Sequence, residues 1–150
     1  MRGDIALFMG LVGVLGGGII VAVVLMTGGG GGGSPCDDSL VPLGESDISQ
    51  LGFQTEDVGL TRMIQSATAG DLAGAESAFF GDVHNFTHNV DPPLREVDEE
   101  LAKDLCERVV EIEEELAFDR RIGVIAGQAT RLRELIQDAA EALGYARPGG

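Results

Sequence analysis

Two histidines, His84 and His88, are the only ones in the chain, and they stand four residues apart. On a helix that spacing puts both rings on one face, where two imidazole nitrogens could share a transition-metal ion. Such a site needs further ligands. Glu96, Glu100 and Glu107 lie on the next expected helix, and Asp82 and Asp91 lie close in sequence. Nothing in the spacing selects one of them, and an HExxH pattern is absent. The expectation is therefore two histidines on the flank of a buried stripe, with metal binding as the alternative. Covalent haem attachment would need CxxCH, which the chain lacks. Non-covalent haem could use a histidine with Met63, on availability alone. No cofactor is expected from the sequence beyond these two possibilities.

Cys36 and Cys106 are an even pair. In an oxidising compartment they are expected to form a disulfide that fastens an irregular segment to the middle of a helix. Closing a loop of that length contributes roughly 4 kcal/mol on the chain-entropy account. Asn85-Phe86-Thr87 matches a glycosylation triplet, but it falls inside a helical stripe with Phe86 on the apolar side. No serine sits in a nucleophile turn, and no glycine loop follows a strand. The clustered glutamates after Leu94 read as a solvated face. Catalysis is not expected.

These residues sit in a chain of two chemically different parts. Of 23 glycines, 12 fall in the first 33 residues, and of 25 acids, 24 follow Asp4. The formal charge of −15 excludes a general nucleic-acid binder, which needs a basic footprint. Ile5 to Met26 carries no charge and is long enough to span a bilayer as one helix. Arg2 precedes it, and acids dominate up to Arg62, so the bulk of the chain is expected outside the cytoplasm, periplasmic or extracellular. A cleaved signal peptide is the rival, disfavoured by Val24-Leu25-Met26-Thr27 at its end. Ala6, Gly10, Gly13 and Gly17 share one face of this segment, which suits close packing against a partner helix in the membrane.

The expected organisation is an anchor at 1–27, a glycine-rich tether and irregular segment at 28–54, and an all-α domain at 55–150. The domain reads as a small up-down four-helix bundle. Its first helix is expected at Glu56 to Thr68. A second, capped by Asp71, carries the stripe Leu72, Ala75, Phe79, Val83, Phe86 and Val90 and ends at Pro92-Pro93. A third is expected from those prolines to Leu116, with Glu99–Lys103 and Asp104–Arg108 as supporting pairs. The fourth covers Ile122 to Leu143. A phase jump between Leu116 and Ile122 places a break near Ala117 to Arg121. The leading functional expectation is a membrane-anchored extracytoplasmic interaction or accessory module, whose partners are the lipid bilayer and another membrane or extracytoplasmic protein. The alternative is an extracytoplasmic metal- or haem-binding bundle.

Overall fold

The computed structural model describes residues 34–149, in which every regular element is helical. The helices are α1 (Gln50–Thr68), α2 (Leu72–Ala78), α3 (His84–Val97), α4 (Glu99–Glu114) and α5 (Ile122–Ala142). A π turn at Phe79–Val83 joins α2 to α3 without a break in the rod, and another at Glu115–Asp119 extends α4. The result is a helical bundle in which α1 packs on α5 and α2, α3 on α4, and α4 on α5. Among the described residues there is no strand, and no helix is long and apolar enough to cross a membrane. The expected anchor, with Ala6, Gly10, Gly13 and Gly17, and the six-glycine run lie outside the described residues.

The apolar stripes do most of the positioning. Phe79, Val83, Phe86, Val90 and Leu94 of the α2–α3 rod are buried against Leu105, Val109, Ile112 and Leu116 and against Ile125, Leu132 and Ile136 of α5. Asp71 caps α2 by accepting from the Gly74 amide at 2.9 Å. Gly70 allows the preceding turn, with φ of +79° that a Cβ would oppose.

Three expectations change. First, α1 starts at Gln50, not near Glu56, because Ser49 caps it through the Gly52 amide. The residues gained include Phe53, which is fully buried and packs edge-on against Phe86 at 5.1 Å. The stripe of α1 therefore runs through Phe53, Leu60, Met63 and Ala67, and Val58 faces out. Second, the helix does not end at Pro92-Pro93. It continues to Val97, with both prolines inside. Two missing amide donors normally disrupt a helix interior. Here Val90 and Leu94 on either side of the prolines are both fully buried, so core packing holds the rod together. The stop comes at Asp98, whose carboxylate accepts from the Leu101 amide at 3.0 Å and caps α4. Val97 is exposed at that turn. Third, Lys103 reaches Asp37 at 2.9 Å and Arg108 pairs with Glu111, in place of the pairs expected with Glu99 and Asp104. Residues 34–48 are irregular, as expected, and held as described below.

The break before α5 falls where the phase jump put it. Arg120 adopts a left-handed conformation with φ of 55°. Glu115 is buried and accepts from the Arg121 amide at 2.7 Å and from its guanidinium at 2.6 Å and 3.0 Å. That carboxylate explains how an arginine can precede a helix start, where its charge opposes the helix dipole.

Phe53 is the test of the earlier start of α1. Phe53→Ala removes a buried ring between α1, Phe86 and Tyr145 and is expected to destabilise the protein by about 3–5 kcal/mol. Denaturant melts measure it. A change below about 1 kcal/mol would mean that Phe53 is not part of the core.

Candidate metal centre

His84 and His88 project from the first and second turns of α3, with ring centroids 4.6 Å apart. Glu113, near the end of α4, meets them. The His84 Nε2–H donates to Glu113 Oε1, and His88 Nε2 lies 4.0 Å from the same oxygen. One donor atom from each of the three residues lies within 4.8 Å of the other two. All three are partly buried. Phe79 and Phe80 stand against the His84 ring, each at 5.4 Å, and wall one side of the cluster.

The third ligand is therefore a specific carboxylate, and it is none of the candidates considered from sequence. The position of the turn explains why. α3 and α4 form a hairpin about Asp98, with His84 14 residues before it and Glu113 15 after it. A turn at Pro92-Pro93 would have mirrored His84 onto the neighbourhood of Glu100 and His88 onto that of Glu96. Shifting the turn by a few residues moves the partner by twice that number. Asp91 is fully buried but committed elsewhere. Met63 is fully buried in the hydrophobic core. Thr87 of the glycosylation triplet is buried and donates to the His84 carbonyl at 2.8 Å.

A strap formed by residues 36–46 closes the cluster from above α3. Cys36 and Cys106 are joined by a disulfide, with Cα atoms 5.7 Å apart. Asp91 accepts from Ser39 Oγ and the Leu40 amide, both at 2.9 Å, and pairs with Arg95 at 3.2 Å. Arg95 also donates to the Cys36 carbonyl at 3.3 Å. Asn89 donates to the Leu43 carbonyl at 2.7 Å. Between these ties the Val41 carbonyl accepts from His88 Nδ1 at 2.9 Å.

Charge in the cluster follows from these contacts. Burial works against an ionised Glu113, but the hydrogen bond from His84 and the nearby His88 ring outweigh it and hold the carboxyl down at about 2. Burial also opposes a charged His88, yet the Glu113 carboxylate and the Val41 carbonyl prevail and raise its pKa above the usual 6.5. No protein-family model, no curated protein and no solved structure matches this chain.

The sign of the resulting pH dependence is fixed. A raised histidine pKa gives stability that is complete below 6.5 and fades as pH rises through the folded value. A lowered carboxyl pKa gives stability present above 4.5 and lost as pH falls toward 2. In chelator-treated protein the melting temperature is expected to fall as pH rises above about 6.5, through the His88 arm. In Glu113→Gln that alkaline arm should flatten. Thermal melts across the range check this, and an unchanged slope in the variant would show that Glu113 does not set the histidine charge.

Proposed function

We propose that the protein is a membrane-anchored, extracytoplasmic helical module that binds a divalent transition-metal ion through His84, His88 and Glu113. The observation that carries this reading is the convergence of three donor atoms from two helices within 4.8 Å. Two imidazoles and one carboxylate suit zinc, copper or iron(II) rather than calcium or magnesium, which prefer all-oxygen shells. Three protein ligands leave at least one position for water or for a group supplied by a partner. Structural zinc sites are closed by four protein ligands, so this one is of the exchangeable kind. It is a binding reading: all three side chains are spent as ligands, which leaves no member of the cluster to act as acid or base.

Placement rests on two supports. The uncharged run Ile5 to Met26 with Arg2 before it suits an anchor oriented with the helical domain outside. The Cys36–Cys106 disulfide suits the oxidising side of a membrane. The open coordination position gives the expected partner a chemistry: a membrane or extracytoplasmic protein that takes the ion or hands it over.

The detergent-solubilised full chain, stripped with chelator, tests this by calorimetric titration with zinc. One ion per chain is expected, with a stabilisation of about 2.7 kcal/mol at a hundredfold excess over Kd that raises the melting temperature. Glu113→Gln and His84→Ala should each remove most of the response. Binding equal in the wild type and both variants would overturn the site.

A further inference from the structure

We infer that the strap at residues 36–46 is a positioning device for the metal site, with the Val41 carbonyl selecting which nitrogen of His88 faces the ion. The inference rests on the metal-binding reading of the cluster. A carbonyl oxygen only accepts, so the 2.9 Å contact requires the proton on His88 Nδ1. The neutral ring then carries its lone pair on Nε2, the atom that faces Glu113. A metal-binding histidine usually has its far nitrogen fixed in this way, and loss of such a partner typically lowers metal affinity 10–100-fold.

The Val41 side chain does not hold the carbonyl in place, since it is largely exposed. The position comes from the ties on either side. Upstream are the disulfide and the bonds from Ser39 and Leu40 to the buried Asp91. Downstream, Asn89 holds the Leu43 carbonyl and Ser46 Oγ. Asn89 and Asp91 are on α3 itself, one and three residues after His88. The strap and the ligand are thus referenced to the same turn of helix. Both cysteines are fully buried, so a dithiol reductant has no access to the bond in the folded chain. The disulfide is a permanent clasp rather than a switch.

The experiment uses the full chain in detergent, as wild type and as the Cys36→Ser, Cys106→Ser double variant. Long-range proton–nitrogen NMR of the metal-free protein above the His88 pKa reads the tautomer, and zinc titration reads affinity. The wild type should show His88 protonated at Nδ1. The double variant should show both tautomers and bind zinc 10–100-fold more weakly, with helical circular dichroism unchanged. If that variant does not fold, Asn89→Ala loosens the strap with the disulfide intact and should weaken zinc binding in the same direction. His88 protonated at Nε2 in the wild type, or equal zinc affinity with a tight and a loosened strap, overturns the inference while the metal site stands. A wild type that binds no zinc but keeps the Nδ1 tautomer overturns the metal site, and with it any positioning role for the strap.

Discussion

The turn at Asp98 sets the register between α3 and α4, and that register decides what the two histidines meet. Asp98 stops one helix and caps the next, so the stripes on both sides of it must interdigitate in a single alignment. Val90 and Leu94 then face the core together with Leu105 and Val109, and Glu113 comes to rest beside His84. Moving the turn by one residue shifts the partner by two and would put Glu111, which is exposed, or Glu115, which is buried and bound to Arg121, opposite the histidines.

The strap depends on the same turn. Cys106 lies on α4 and Asp91 and Arg95 on α3, so the segment from Cys36 to Ser46 crosses the hairpin and is tied to both of its helices. Asp91 is fully buried, and a carboxylate in that position is tolerable only with hydrogen bonds and a counter-charge. Ser39, Leu40 and Arg95 supply them. The strap needs Asp91 as an anchor, and Asp91 needs the strap to satisfy it. That mutual dependence explains how the eleven residues of the strap, without regular structure, can present a carbonyl to His88 reproducibly.

Much of this was legible in the residues, and the exceptions have physical causes. Helical periodicity placed Phe79, Val83, Phe86 and Val90 correctly in the core, since that stripe depends only on local spacing. The break before Ile122 was legible from a phase jump, and the cysteine pair from its even count. Phe53 was hidden among turn-forming residues, and its burial comes from Phe86 and Tyr145, which are distant in sequence. Pro92-Pro93 gave the strongest local stop signal, and packing overrode it. The aspartate cap at 98 was the weaker signal and the true one. Glu113 was missed for that reason alone: the mirror rule for a hairpin was available, but its centre was misplaced. No local pattern could have shown that the Val41 carbonyl reaches His88, because the ties that put it there join residues some fifty positions apart.

The central claim is that two helices and a strap assemble one metal shell. X-ray absorption at the zinc edge, on full-length wild-type protein loaded with one equivalent, examines that shell directly. The account predicts nitrogen and oxygen neighbours at about 2.0–2.1 Å, with the outer-shell scattering of two imidazoles and no sulfur. A spectrum of oxygen neighbours alone, without imidazole scattering, would place the ion on the acidic surface and contradict the account.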